Sequence, residues 1–575
     1  LENFLQKKIS PINMTAIITN NISIYLAQIN ITVGDIAGNY QKIIAEFRQA
    51  EKQRADLIIF PEMAITGYMA EDLWLKKYFL EAAEKKITEL ALATITSKTS
   101  ILVGGPHLFA KDTKKETVYN SAFFIADGQI KKIINKKTLP NYGVFDDKRY
   151  FSSEKILSTI DIKDFRLAIL ICEDMWLSQN IYLLKERHLD GIISINASPY
   201  SISKYQERLD RAQKFVKELA RPLIYLNQIG GQDSVVFDGS SFALKSNGEL
   251  LLNLAEFSQD CAMIELSKKS DDLIAISSNK KSSDISSILS RNYLAITLAL
   301  RDYVNKNNFK KALIGLSGGI DSALVAIIAA DALGPENVSL YALPSRYNSD
   351  ESLIDAKQLA SNLGIELKII SIEPAFNALL SSLEPEFKGL ESDVSEENLQ
   401  ARIRGNILMA ISNKFGHLLL TTGNKSELAT GYATLYGDMC GGFNPIKDLY
   451  KSEVFAISKW RNQNVPNIFA YDKKNLIPKN IIDKSPSAEL RFNQKDSDSL
   501  PDYQILDQIL FALIEEQKSI NQVTGQGFDD KMVKKVAKLL HSSEYKRRQS
   551  ALGVKLSNMS FDKDRRYSIT NKFCE

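Results

Sequence analysis

Three short strings set reactive side chains at the ends of apolar runs. "LIIFPEMAITGY" ends a run at Glu62, turned out by Pro61. "INKKTLPNYGVFDDKRYF" carries Lys136 and Lys137 ahead of a Leu-Pro turn. "RLAILICEDMW" ends a run at Cys172, followed by Glu173 and Asp174. A lone Cys after an apolar run is most often a small buried hydrophobe. A Glu and a Lys in its company change that reading. The carboxylate can take the thiol proton and return it to a leaving amine. The thiolate can attack an amide carbonyl and hold the acyl group as a thioester. A Lys cation can stabilise the oxyanion. With only His107, His188, His417 and His541 in the chain, a Cys–His pair is the weaker reading, and no H-E-x-x-H spacing offers a His-based metal site.

A fourth string, "KALIGLSGGIDSALVAI", points to different chemistry. Ala312 to Leu316 reads as a buried strand and Ser322 to Ala330 as a buried helix. Between them Gly318 and Gly319 allow a tight turn and close approach to a ligand. Free N–H groups and the positive dipole end of the helix make this an anion site, with phosphate the usual anion. No Lys follows the glycines, so it is not a Walker A loop. Asp321 would repel a bare phosphate and suits a Mg²⁺ lying between them. The competing reading is a strand-to-helix turn with no ligand. Further on, Asn398 and Arg402 lie four apart and share a helix face, and "HLLLTTGNKSE" reads as a strand ending in a Thr-rich turn.

The elements that must hold these groups alternate. "SIYLAQI", "DLIIF", "SILVGG", "RLAILI", "GIISIN" and "PLIYLN" read as strands separated by helical stretches. A Ser-, Lys- and Asp-rich stretch, Ser267 to Asp284, reads as a linker. A helix from Ile285 leads into a second set: the Ser-Gly-Gly strand, "VSLYALP", a helix from Asp350 to Leu363, and "ELKIISI". Alternating β and α predicts largely parallel sheets with ligands at the strand C-terminal ends. The expected division is an N-terminal extension over 1–21, one α/β domain over 22–265, a linker over 266–284 and a second α/β domain over 285–575.

Bulk properties narrow the function class. The 575 residues suggest two to four domains. A formal net charge of +3 does not predict nucleic-acid binding. No apolar run reaches the roughly 18 residues that span a bilayer. The first twenty residues have no clean apolar core or small-residue cleavage site, so they are not read as a signal peptide, and Met14 is a candidate start. Cys172, Cys261, Cys440 and Cys574 form no C-x-x-C pair, which fits a reducing, cytoplasmic setting.

The S-G-G-I-D-S string resembles the pyrophosphate loop of the N-type ATP pyrophosphatases. F-P-E, K-x-x-L-P and C-E-D-x-W resemble the nitrilase superfamily. "LPNYGVFDDKRYF" is closer to the glutaminase domain of the glutamine-dependent NAD synthetases, and "LPSRYNSD", "EENLQARIRGNILMAISN", "SPSAELRFNQKDSDSLPDY" and "YKRRQ" resemble the synthetase signatures of that family in order. The resemblance implies a nitrilase-like αββα sandwich followed by a doubly wound, Rossmann-like parallel sheet of the adenine nucleotide alpha hydrolase type. It implies ATP-driven amidation of deamido-NAD through an acyl-adenylate, with ammonia from glutamine and with Mg²⁺.

It further implies a Glu62–Lys136–Cys172 triad, since Lys136 has the family spacing to Leu139-Pro140, and glutamine contacts at Tyr119, Ser198 and Lys204. ATP contacts would fall on Gly315, Leu316, Ser317, Gly318, Gly319, Ile320, Asp321, Ser322, Thr422, Lys451 and Ser487. Deamido-NAD contacts would fall on Asn398, Arg402, Glu427, Asp438 and Lys546, with Asp321 and Glu427 on the metal. At least a dimer, a closed ammonia passage and a closing loop around Ser487 to Ser499 are expected. Two positions depart from the family pattern: Asp147 stands where Glu is common, and Phe492 where Pro is usual. An unrelated glutaminase would be needed for a GMP synthetase, a basic patch and relay cysteines for a tRNA-modifying enzyme, and a broken triad for a non-catalytic scaffold.

Overall fold

The computed structural model describes residues 21–110, 116–275, 286–466, 472–492, 494–498 and 500–573. The 1–20 stretch with Met14, residues 276–284 of the expected linker, and Cys574 lie outside them.

In the first domain two sheets stack face to face. The strand Asn21–Gln28 pairs in parallel with Leu57–Ile59, which pairs with Ser100–Ala110, and Glu116–Ala126 and Gln129–Asn135 extend that edge. On the other edge Asp260–Ser267 and Asp272–Ala275 run antiparallel. The expected linker is therefore corrected: Leu266, Ser267 and 272–275 belong to this sheet. The second sheet holds Ser158–Ile162, Phe165–Ile171, Gly191–Asn196, Leu223–Asn227, Phe242–Leu244 and Leu250–Asn253.

The period-2 alternation of a strand sorts the side chains. Leu57 and Ile59 enter the layer between the sheets with Ile169, Ile171, Ile193 and Ile195. Ile58 points the other way, against Phe47, Ile87 and Leu90 of the helices Ile36–Lys52 and Lys77–Ala93. The helices Ser178–Lys185 and Lys204–Leu219 cover the second sheet. The result is the expected αββα sandwich.

The second domain is built on four parallel strands in the order Leu367–Ile369, Val338–Ala342, Ala312–Gly315, Leu418–Leu419. The helix Ile320–Leu333 is apolar all round and almost wholly buried, as such a sequence must be. It packs against Ile288–Lys306, whose other side meets the first domain's hairpin Ile229–Gln232 and Val235–Asp238. Tyr200, Ile229, Val236 and Phe257 thus share one apolar core with the second domain. The C-terminal segment also crosses the boundary: Lys555 N–H donates to Ser234 O at 2.7 Å, and Ile202 N–H to Leu556 O at 3.1 Å.

Candidate active sites

The sandwich brings the ends of three strands to one buried point. Glu62 follows Leu57–Ile59, Lys136 follows Gln129–Asn135, and Cys172 follows Phe165–Ile171. Lys136 Nζ donates to Glu62 Oε1 at 2.8 Å and to Asp147 Oδ2 at 2.9 Å, with all three side chains buried. Lys137 points elsewhere, and only its main-chain N–H reaches Asp174, at 3.1 Å. Glu62 also accepts from Asn120 Nδ2 at 2.7 Å and from Ala197 N–H at 2.9 Å. Gly104 is obligatory behind it, because a Cβ there would lie 2.7 Å from Glu62 Cα.

Asp147, the first departure from the family pattern, accepts from Tyr68 OH at 2.8 Å as well as from Lys136. The shorter side chain therefore still reaches the Lys cation. Asn120 and Tyr68 were missed in the sequence, although strand alternation puts Asn120 on the same face as the buried Ala122.

Cys172 has φ +47°, a left-handed conformation that strains a residue with a Cβ. Asp174 holds the turn in place. Its carboxylate accepts from Ile171 N–H at 3.2 Å, Lys137 N–H at 3.1 Å and Thr138 N–H at 2.7 Å, tying the Cys172 turn to the loop after Lys136.

Burial pushes the Cys172 thiol well above its ordinary pKa; Glu62 adds to this and Lys136 opposes it. Burial disfavours the Lys136 ammonium, but Asp147 and Glu62 outweigh it and hold the pKa well above the usual Lys range. The resting site therefore holds a neutral thiol beside a fixed cation, and the thiol needs a base.

The three expected glutamine contacts fare differently. Ser198 is buried next to Ala197, and its Oγ accepts from Arg208 Nε at 3.1 Å. Lys204 Nζ lies 4.0 Å from the centre of the Trp176 ring, at the end of the Cys172 turn, and its charge reaches Glu173. The Tyr119 side chain is not brought to the triad. It sits across from His107, ring centres 6.3 Å apart, on the strand face opposite to Asn120.

The second site is a cavity of about 320 Å³ at the C-terminal ends of the parallel strands. Gly315 to Ser322 line one wall, with Thr422, Glu427, Asp438, Lys451 and Ser487 around it. Gly318 has φ +82°, and a Cβ there would lie 2.2 Å from Ser352 O, so only glycine fits. Ser322 Oγ donates to Gly319 O at 3.1 Å and accepts from Ser317 N–H at 3.2 Å, which fixes the loop.

Opposite the loop, Lys451 Nζ is ion-paired with Asp321 and lies 3.3 Å from Glu427 Oε1. Asn424 caps the helix Lys425–Thr430 reciprocally with Glu427 and donates to Asp321 Oδ1 at 3.0 Å. Burial raises the Glu427 carboxyl to about 8, with Lys451 opposing and Asp321 adding. Two carboxylates that already draw a cation between them fit a divalent ion. Among the described residues no group of three or more His, Cys, Asp or Glu is set to hold a metal. Protein oxygens would thus fill only part of a shell, the usual case for Mg²⁺ bound together with phosphates.

Asp438 reaches the cavity, but Asn398, Arg402 and Lys546 do not line it. They gather beyond it around residues 431–438. Asn398 Oδ1 accepts from Thr434 Oγ1 at 2.7 Å, Arg402 Nε donates to Leu435 O at 3.2 Å, and Lys546 Nζ to Gly431 O at 2.8 Å and Ala433 O at 2.7 Å. Arg404 was missed in the sequence: its half-buried guanidinium lines the cavity and donates to Leu343 O at 3.0 Å.

The loop after Ser487 is pinned mainly by polar contacts. Glu489 accepts from Ser352 Oγ at 2.7 Å and Lys484 Nζ at 2.9 Å. Phe492, the second departure, packs on Tyr347 with ring centres 4.9 Å apart.

Comparison with known proteins places both sites in context. The carbon-nitrogen hydrolase family model matches residues 24–270, and the NAD synthase model matches residues 292–550. The chain is 41% identical to the glutamine-dependent NAD(+) synthetase of Acinetobacter baylyi, covering 96% of this chain and 98% of that one. It is also 41% identical to that of Thermotoga maritima, covering 96% and 99%. A solved glutamine-dependent NAD+ synthetase from Acinetobacter baumannii, in complex with ADP, aligns with a TM-score of 0.76 at 38% identity over 96% of this chain and 99% of that one.

Proposed function

Since the chain belongs to the glutamine-dependent NAD(+) synthetases, an amidating ligase family, we propose a mechanism in which its two sites divide the reaction. Glu62 takes the Cys172 proton as Cys172 attacks the glutamine amide carbon, and the Lys136 ammonium stabilises the oxyanion. Glu62 then returns the proton to the departing nitrogen, so ammonia leaves and a thioester remains for water to hydrolyse, giving glutamate. The observation that supports this most directly is the Lys136–Glu62 pair at 2.8 Å, both members of which act on the buried Cys172 thiol.

In the second domain the Ser317–Ser322 turn lines the cavity, and the N–H groups at the start of the helix Ile320–Leu333 would grip pyrophosphate as it leaves ATP. Asp321 and Glu427 would hold Mg²⁺, which supplies charge neutralisation at the phosphates. Lys451 adds a fixed cation, and Thr422 and Ser487 face the nucleotide from the cavity wall. The deamido-NAD carboxylate takes AMP, and ammonia displaces it to give NAD⁺, AMP and pyrophosphate.

Asn398, Arg402, Asp438 and Lys546 are assigned to deamido-NAD, and Tyr119, Ser198 and Lys204 to glutamine, Tyr119 through its main chain. A homodimer through the second domain would complete the Asn398–Arg402 side. The helices Glu373–Phe387 and Val394–Phe415 leave Leu379 and Val394 exposed. Among the described residues no helix is long and apolar enough to cross a membrane, and a cytoplasmic enzyme is proposed. The test measures NAD⁺ from deamido-NAD, ATP and Mg²⁺ with glutamine or ammonium as donor. Product with neither donor would refute the reading, as would product that needs no ATP.

A further inference from the structure

Three consecutive residues of the helix Ile288–Lys306 reach into both domains. Arg291 Nη2 lies 3.5 Å from Asp238 Oδ2, and its Nε 2.8 Å from Glu256 Oε1. Asn292 Oδ1 accepts from Tyr200 OH at 2.8 Å. Tyr293 OH donates to Asp331, on the helix that opens at the Gly318-Gly319 turn. All three side chains are buried.

The partners in the first domain belong to the wall beside the triad. Asp238 Oδ1 accepts from Arg208 Nη1 at 2.7 Å. Arg208 in turn donates to Ser198 Oγ at 3.1 Å, Ser198 O at 2.8 Å and Pro199 O at 2.9 Å. Ala197, one residue earlier, donates its N–H to Glu62 Oε2 at 2.9 Å. The stretch Ala197–Tyr200 is thus bound at one end to the catalytic carboxylate and at the other to Asn292. Its middle is held by Asn227, which accepts from Ser198 N–H at 2.9 Å, and by Arg208, whose ion-pair partner among the described residues, Asp238, is shared with Arg291 across the domain boundary. Burial makes each of these contacts costly to lose and geometrically exacting.

We propose that Arg291 and Asn292 are positioning residues for glutamine: the first helix of the synthetase domain fixes the Ser198–Tyr200 wall of the glutaminase pocket. This rests on the assignment of Cys172 to glutamine cleavage. The wall is held from two sides, by Asn227 and Val236 of its own domain and by a helix that belongs to the other. Tyr293 pins the same turn of that helix to Asp331, so the wall is registered against the helix that begins at the pyrophosphate loop. The glutamine pocket therefore takes part of its shape from the synthetase fold.

The test uses the full-length enzyme with both nitrogen donors. Tyr200→Phe removes only the hydroxyl that meets Asn292, and Arg291→Lys removes the fork shared by Asp238 and Glu256. Tyr303→Phe serves as a control. It lies on the same helix and loses a hydroxyl contact of 3.2 Å to Gly442 O, away from the wall. Loss of one buried hydrogen bond predicts that Tyr200→Phe raises the glutamine KM about three- to ten-fold. Ammonium-driven synthesis should stay within about two-fold of wild type, and Tyr303→Phe should leave the glutamine KM unchanged. A merely structural role would lower Tm in Tyr200→Phe with no change in glutamine KM, or would depress both donors alike, and either result overturns the proposal. Should Arg291→Lys fail to fold, the isosteric Tyr200→Phe still decides. If Cys172→Ala kept its use of glutamine, the underlying assignment would fall, and the proposal with it.

Discussion

Lys136→Met tests the centre of the glutaminase site, because it removes the charge while keeping most of the side-chain volume. The wild-type ammonium sits 2.8 Å from Glu62 and 2.9 Å from Asp147, all but excluded from water. Loss of an oxyanion stabiliser costs on the order of 10²–10³ in rate. A second loss compounds it. Glu62 also loses the cation that holds its Oε1 in place, and Asp147, whose carboxyl pKa burial already raises, takes up a proton. Glutamate release should therefore fall by at least about 10³.

Breaking a buried pair in this way costs about 3–5 kcal/mol, and the deficit should depend on pH. Burial already raises the Asp147 pKa with Lys136 present, and without Lys136 it rises further. A carboxyl whose folded pKa lies above its unfolded one gains stability as pH falls through the folded value. The Tm gap between variant and wild type should thus narrow from pH 8 to pH 6. Lys137→Met should change little, since that side chain does not face Glu62. The assay is glutamate release, with ammonium-driven NAD⁺ formation as the internal control. A Lys137 variant that lost more glutaminase than the Lys136 variant would refute the reasoning, as would a Tm gap that widened toward acid.

Cys172→Ala should abolish glutamine-driven NAD⁺ formation and leave ammonium-driven formation largely intact; equal loss with both donors would be inconsistent with a thiol that serves only amide cleavage. Asp321→Asn and Glu427→Gln should each slow both donors, most severely at low Mg²⁺, and a wild-type rate there would refute the metal role. Gly318→Ala should also remove activity with both donors, because its Cβ would meet Ser352 O at 2.2 Å, and retained activity would show that the loop can yield. With ¹⁵N-amide glutamine against excess unlabelled ammonium, a closed passage predicts label in NAD⁺ well above its share of the bulk pool. Label at the bulk ratio would mean two independent sites.

What could be read in the sequence, and what could not, follows from how locally each feature is encoded. The Gly318-Gly319 turn and the strand ends at Glu62 and Cys172 announce themselves within a dozen residues, because turn chemistry and apolar runs are local. Lys136 was separable from Lys137 only by its spacing to Leu139-Pro140. The physical reason is visible in the fold: strand alternation sends one inward to Glu62 and leaves the other a main-chain contact with Asp174. The same alternation turns the Tyr119 side chain to the other face, since the inward side chain on that strand belongs to Asn120. The linker was overread because its Ser- and Lys-rich average hides the short apolar stretch within Asp272–Ala275, which pairs as an edge strand. Least legible were the charges that pair over long stretches of chain. Arg208 with Asp238 spans 30 residues, and Arg291 with Asp238 spans 53. No periodicity or motif marks them, because each becomes intelligible only when the fold buries both partners side by side. That is also why a contact between the domains can carry the shape of the glutamine pocket without leaving a local trace in the sequence.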